Sequence, residues 1–225
     1  MRRHAVYYAP RPGAFAARAA EWLGRDAAAG RAVAQPRLPG IPDPAAITAD
    51  PRRYGFHGTL RAPFRLAGGV TATELGLRVA ALAARLPAPR CDGLTLANLH
   101  GFLALVPTGD EAALTELAAV VVEGTDDLRA PLTAAEVARR RPASLTERQR
   151  RLLDRWGYPF VMEEFRFHLT LTDRLPAERA AQVADVLAGH FAPVLPRPFV
   201  IEDLCLFGED EAGRFHLLDR YALAG

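Results

Sequence analysis

Tyr54-Gly55-Phe56-His57-Gly58-Thr59-Leu60-Arg61-Ala62-Pro63-Phe64 decides how the chain is read, because Phe165-Arg166-Phe167-His168-Leu169-Thr170-Leu171-Thr172 repeats its central His-x-Thr pattern. Both stretches alternate apolar with polar residues, the period of a half-buried β-strand. Side chains two apart on a strand project from one face, so each motif presents an imidazole and a hydroxyl together. Phe56, Leu60, Phe167, Leu169 and Leu171 then face a core, while His57, Thr59, His168 and Thr170 face a cleft. Two such strands can grip one phosphate from both sides.

On the N-terminal side of the first motif, Ala5 to Ala9 reads as a strand and Ala14 to Ala29 as an Ala-rich helix. The Pro-rich stretch from Pro36 to Pro51 leads from there into the motif as a loop. On the C-terminal side, Thr71-Ala72-Thr73-Glu74 forms a capping box that opens a helix to about Leu86, which Pro87 and Pro89 stop. A hairpin over Leu94 to Ala97 and Gly101 to Val106 follows, then a helix over Glu111 to Glu123. From Gly124 to Phe160 the pattern changes: two further capping boxes, Thr133 with Glu136 and Ser144 with Glu147, accompany an Arg-heavy run and predict a two-helix bridge. Beyond the second motif come a helix from Pro176 to Phe191, a strand from Phe199 to Phe207, a turn over Gly208 to Gly213 and a strand from Arg214 to Tyr221.

Strands and helices mixed with hairpins point to an α+β fold, duplicated into two lobes whose antiparallel sheets face a central cleft with the helices outside. The lobes are expected at about 1–123 and 161–225 of a single domain spanning 1–225, with 124–160 as the bridge.

Composition narrows the function classes. The 225 residues can bury a substantial core, and half of them are hydrophobic with 24% charged, as in an ordinary globular protein. The net charge of +2 implies no strong field for nucleic acid or membrane. All 28 basic residues are arginine, which excludes a Schiff-base or phosphate-loop lysine mechanism. Cys91 and Cys205 give neither metal-type spacing nor a disulfide framework, so a reducing cytoplasm is the expected location. The N-terminal apolar run is short and broken by Pro10, which reads as a first strand and not as a signal peptide, and no apolar segment approaches a membrane span.

Cleaving a phosphodiester needs a base to activate the nucleophile and an acid to protonate the departing alkoxide. Two imidazoles on opposite sides of phosphorus supply both near neutral pH, each transfer being worth about 10² to 10⁴ in rate. His57 and His168 are therefore the candidate catalytic pair, and Thr59 and Thr170 the hydroxyl donors to the non-bridging oxygens. Unbroken alternation also puts Arg61 and Arg166 on the cleft face, as candidate bidentate phosphate ligands. Tyr7, Tyr54 and Tyr158 are candidate substrate contacts. His4, His100, His190 and His216 read as structural.

The duplicated motif on strands in two halves of a chain this long resembles the two-histidine phosphoesterase superfamily, which includes RNA end-processing cyclic phosphodiesterases. The longer string around His57, and Trp156-Gly157-Tyr158-Pro159-Phe160 leading toward His168, resemble a bacterial branch often encoded beside phosphonate-degradation genes. The resemblance implies metal-independent cleavage of a small nucleotide or ribose cyclic phosphate with no cofactor. It further suggests a ribosyl cyclic phosphate arising in phosphonate breakdown. Three alternatives stay open. A metal could bind between His57 and His168, although metal sites usually recruit more His, Asp or Glu. The Arg-rich bridge could hold an RNA end, although Glu136, Glu147 and Asp154 interleave with it and favour a solvated face. The cleft could also bind a phosphorylated ligand without cutting it, a role that has no need of two proton carriers.

Overall fold

The computed structural model describes residues 1–224. Seven strands form its main sheet: β1 (His4–Tyr8), β2 (Gly58–Phe64), β3 (Gly93–Leu99), β4 (Phe102–Thr108), β5 (Leu169–Thr170), β6 (Asp203–Glu209) and β7 (Phe215–Ala222). Their order across the sheet is β7-β6-β1-β2-β5-β4-β3, and every neighbouring pair is antiparallel. The α+β class and the antiparallel pairing are as the sequence implies. The two expected sheets meet edge to edge as a four-stranded and a three-stranded part, joined through the pairing of Gly58 with Leu169.

The lobes are not the two halves of the sequence. The four-stranded part takes β1 and β2 from the N-terminal half and β6 and β7 from the C-terminal end. The three-stranded part takes the β3–β4 hairpin from before the bridge and β5 from after it. The division at about 1–123 and 161–225 is corrected accordingly: each part is closed by strands from the other side of the chain. Strand partners far apart in sequence are chosen by sheet edges and packing, which local pattern does not encode.

One face of the sheet is the core. Val6, Tyr8, Leu60, Leu103, Leu105, Leu169, Leu171, Leu204 and Leu206 are buried there. Four helices cover them: α1 (Ala14–Leu23), α3 (Ala72–Ala83), α4 (Ala112–Gly124) and α7 (Ala177–Phe191), with the short α2 (Ala49–Tyr54) lying between α1 and α3 in the chain. Each large helix contributes an apolar stripe, such as Leu75, Val79 and Leu82 of α3 or Val183, Leu187 and Phe191 of α7. Fully burying one such side chain is worth about 1.5 to 3 kcal/mol.

The capping box predicted at Thr71 and Glu74 is present and opens α3. α1 stops at Leu23, short of Ala29, because Gly24 adopts the left-handed conformation (φ 75°) and its N–H closes the helix on the carbonyls of Ala20 and Glu21. In the bridge, α5 (Ala134–Arg139) carries the expected Thr133–Glu136 box. The second bridge helix, α6 (Glu147–Trp156), is capped by Thr146 with Gln149, two residues beyond the expected Ser144 with Glu147. Ser144 instead donates to the carbonyl of Arg141 in a preceding turn.

Candidate functional site

The opposite sheet face carries the motif side chains, and the β2–β5 register fixes how they meet. Gly58 opposes Leu169 on the core side. Carried one residue either way in an antiparallel pair, that register sets His57 across from Thr170 and Thr59 across from His168. The imidazoles then occupy one diagonal and the hydroxyls the other, with diagonal Cα separations of about 7 to 8 Å. Such a square matches two proton carriers and two donors around one tetrahedral phosphorus.

Gly58 makes this crossing possible. A Cβ built there would sit 2.2 Å from Cζ of the buried Phe167, so the residue between His57 and Thr59 has no room for a side chain. Phe167 in turn belongs to the main core and fixes the segment that leads through His168 into β5.

Both histidines are anchored alike. Nδ1 of His57 lies 2.9 Å from the carbonyl oxygen of Gly55, and Nδ1 of His168 lies 2.8 Å from that of Arg166. A carbonyl only accepts, so each Nδ1 carries the proton and each Nε2 of a neutral ring is left with a lone pair. Gly55 reaches this position with φ 76°, a left-handed backbone that suits glycine.

The surroundings of the two rings differ. Tyr7 lies 4.0 Å and Tyr54 5.7 Å from His57, centroid to centroid. Tyr54 also stacks on Phe215 at 5.0 Å, and Phe207 packs under Tyr7 at 5.0 Å. Burial in this aromatic nest is the main cause that pushes the His57 imidazole down to about 4; the Gly55 carbonyl opposes the shift and the nearby His168 adds to it. His57 is neutral at pH 7 in consequence. His168 rests against a single aromatic ring, Phe102, at 5.7 Å.

A cavity of about 520 Å³ opens over the motif face, lined by His57, Thr59 and Thr170 together with Tyr7, Tyr54 and Tyr158. His168 stands beside this lining through Phe102, which belongs to it. The three tyrosines expected as substrate contacts are thus gathered on one cavity. Tyr158 reaches it because Trp156 and Tyr158 pack with Val122, Leu152 and Val161 where the bridge meets α4.

Two expected phosphate ligands lie elsewhere. Arg61 is buried, donating through Nη2 to Asp126 at 2.9 Å and through Nη1 to the carbonyl of Val122 at 3.3 Å. A β-bulge explains the error: Tyr7 pairs with Thr59 but Val6 with Arg61, so the extra residue Leu60 reverses the alternation. Ala62 takes the cleft position instead. Arg166 is exposed and folds back on its own loop, donating to the carbonyls of Glu163 and Phe165.

The cavity also takes residues from outside the two His-x-Thr triplets. Arg3, held by Glu209 through two 2.6 Å hydrogen bonds, lines the cavity with Arg140 and Arg174. Asp173 accepts from the backbone N–H groups of Ala49 and Asp50 and so fixes the start of α2, the helix that delivers Tyr54. Thr172, which the 168, 170, 172 alternation already places on the motif face, accepts through its hydroxyl from the N–H of Leu103 at 2.9 Å. Among the described residues no group of three or more His, Cys, Asp or Glu side chains is placed to hold a metal ion.

A family model described as protein of unknown function (DUF1045) matches residues 59–216, well over half of the chain. The chain belongs to the DUF1045 family. Curated relatives of this DUF1045 chain include the ribose 1,5-bisphosphate phosphokinase PhnN of Janthinobacterium sp. (strain Marseille), 40% identical over 220 residues, covering 95% of the chain and 49% of the relative. The protein of the same name from Laribacter hongkongensis (strain HLHK9) is 39% identical over 214 residues, covering 94% and 49%. The DUF1045 chain therefore spans about half the length of the curated relatives it matches. Solved structures similar to it include LigT of E. coli complexed with 3'-AMP, at 16% identity and a TM-score of 0.49, covering 100% of this chain and 99% of that one. TT0787 of Thermus thermophilus is similar at 15% identity and a TM-score of 0.47, covering 99% and 98%. No helix among the described residues is long and apolar enough to cross a membrane.

Proposed function

We propose that this DUF1045 protein is a metal-independent two-histidine phosphoesterase that hydrolyses a small cyclic phosphodiester of a nucleotide or ribose. The observation that carries the reading is the pairing of Gly58 with Leu169, whose register sets His57, Thr170, Thr59 and His168 in a crossed square, with both Nδ1 atoms tied to carbonyls and both Nε2 atoms left for chemistry. In the forward direction Nε2 of neutral His57 takes a proton from water as the new P–O bond forms. Nε2–H of protonated His168 gives a proton to the ester oxygen as the old P–O bond breaks. One water is consumed, and a cyclic diester becomes a monoester and a free hydroxyl. Thr59 and Thr170 donate to the non-bridging oxygens throughout, where charge gathers. An anionic phosphate beside His57 favours its protonated form and so strengthens it as a base.

The curated relatives are named as phosphokinases, yet this chain contains no lysine with which to cradle a nucleotide's phosphates. We assign the kinase activity to the half of those relatives that lies outside the match. A hydrolase half beside a kinase half that handles a ribose phosphate suits a ribosyl cyclic phosphate substrate, in phosphonate degradation and in a reducing cytoplasm where the buried Cys91 and Cys205 stay free thiols.

The test is turnover by purified protein in excess chelator against 2′,3′-cyclic nucleotides, ribose cyclic phosphates and linear diesters. Hydrolysis of at least one cyclic ester, lost in His57→Ala and His168→Ala, is the expected result. Turnover abolished by chelator and restored by zinc or manganese would replace the reading with a metal-dependent one. Ligand binding with no turnover of any ester would replace it with a binding module.

A further inference from the structure

Beside the histidine cleft lies a second chamber of about 340 Å³ whose polar lining is almost wholly cationic: Arg3, Arg53, Arg65, Arg139 and Arg140, against the single carboxylate of Glu136. The two cavities share Arg3, Tyr54, Pro63 and Arg140, so one small molecule can extend from the first into the second past the Tyr54 ring.

Not all five guanidiniums are free to meet a ligand. Arg3 is matched by Glu209, and Arg65 makes two hydrogen bonds of 3.1 and 3.0 Å with Glu136. That second pair has a positioning role. Glu136 also accepts from the N–H of Thr133 in the capping box, and the Arg65 hydrogen bonds are the chief cause holding its carboxyl down to about 2. The N-terminus of α5 is thereby pinned to β2's end, which sets Arg139 and Arg140, at the other end of that short helix, over the chamber.

Among the described residues neither Arg139 nor Arg140 has a carboxylate within ion-pair distance. Arg140 is half-buried and lies over the Tyr158 ring at 4.7 Å, which orders the guanidinium without neutralising it. Arg53 has, among the described residues, only Asp50, at 4.0 Å, and rests over Tyr54 at 5.4 Å. Guanidiniums gathered on one chamber, with Arg140 ordered by Tyr158 and neither Arg139 nor Arg140 matched by a carboxylate among the described residues, select a dianionic, multi-oxygen group, because each fork can meet two oxygens at once.

We propose that this chamber is a second phosphate subsite, so that the substrate carries a terminal phosphomonoester in addition to the cyclic ester being cut. The inference rests on the phosphoesterase reading of the histidine cleft and narrows its substrate class to a bis-phosphorylated small sugar or mononucleotide. The monoester is bound and not cleaved, since the chamber lining holds no histidine and its one carboxylate, Glu136, is committed to Arg65 and the Thr133 N–H. Its interactions hold the ring between the two sites and orient the scissile phosphorus toward His57 and His168.

The test compares a 2′,3′-cyclic nucleoside monophosphate with the same compound bearing a 5′-phosphate. The wild-type protein is expected to prefer the 5′-phosphorylated ester by at least tenfold in kcat/KM, chiefly through KM, and R139A/R140A to bring that ratio close to one, with R139K/R140K keeping part of it. A wild-type ratio near one, or a preference that survives R139A/R140A, overturns the subsite. If no cyclic ester is turned over at all, the phosphoesterase reading fails and calorimetry with ribose 5-phosphate on the H57A/H168A protein decides the subsite alone. Binding weakened at least tenfold by R139A/R140A supports it, and binding left equal overturns it.

Discussion

The two His-x-Thr motifs share a pattern and an anchor, yet they are housed differently. His57 leads into the seven-residue strand β2, which is paired on both sides, and its ring is enclosed by Tyr7 and Tyr54. His168 precedes β5, a strand of two residues between irregular segments, and among the described residues has one aromatic neighbour, Phe102. A motif specifies the atoms presented to the cleft. What packs around it shifts the protonation equilibrium, and in the proposed reaction the aromatic enclosure of His57 is what assigns that ring to the base.

The sharpest way to break that comparison is to remove each ring. In the proposed reaction the imidazoles act as one unit, so His57→Ala and His168→Ala are each expected to lower kcat by about two to four orders of magnitude, with the double variant little worse than the poorer single one. Additive losses, measured by steady-state kinetics on a hydrolysed cyclic ester, would mean that the two motifs serve separate steps.

A second contrast sets Arg61 against the residues that do face the cleft. Removing one partner of a buried ion pair costs about 3 to 5 kcal/mol when the other charge is left uncompensated, and Asp126 keeps Arg129 at 2.9 Å, so Arg61→Ala should appear as a smaller but clear loss of folding stability in chemical denaturation. Its kcat/KM, measured well below the melting temperature, should stay near that of the wild type. A large rise in KM with unchanged stability would return Arg61 to the phosphate site. Smaller again are Thr59→Val and Thr170→Val, each expected to lose one hydrogen bond to a charged oxygen, about 1.5 to 3 kcal/mol in kcat/KM. Equal losses fit the crossed square, in which each hydroxyl faces the other motif's histidine. A loss confined to one would show that the phosphate lies against a single strand.

Much of the site was legible because strand alternation is local. The parity of His57, Thr59, His168, Thr170 and Thr172 follows from two-residue periodicity alone, and the capping boxes at Thr71 and Thr133 from spacing alone. What escaped was non-local. The bulge at Leu60 is defined only by β1 lying opposite, and it turns Arg61 from the cleft to Asp126. Thr146 beat Ser144 as the cap of α6 because both offer a side-chain oxygen three residues before a Glu or Gln, and only the path of the preceding turn chooses between them. The exchange of strands between the two parts of the sheet, and the arrival of Arg3 and Arg140 at one cavity, need the folded chain to be seen.

The division of labour between the two rings is tested most directly by an NMR pH titration that follows the imidazole nitrogens of His57 and His168 in the free protein. His57 should be the Nδ1–H tautomer with a bare Nε2 at neutral pH and should take up its second proton only near pH 4, so that kcat/KM falls as the pH drops through that value. Tyr54→Ser, by opening the aromatic enclosure to water, should move that midpoint upward. A His57 ring that titrates at the ordinary imidazole value, or that carries its neutral-form proton on Nε2, would contradict the assignment of His57 as the base.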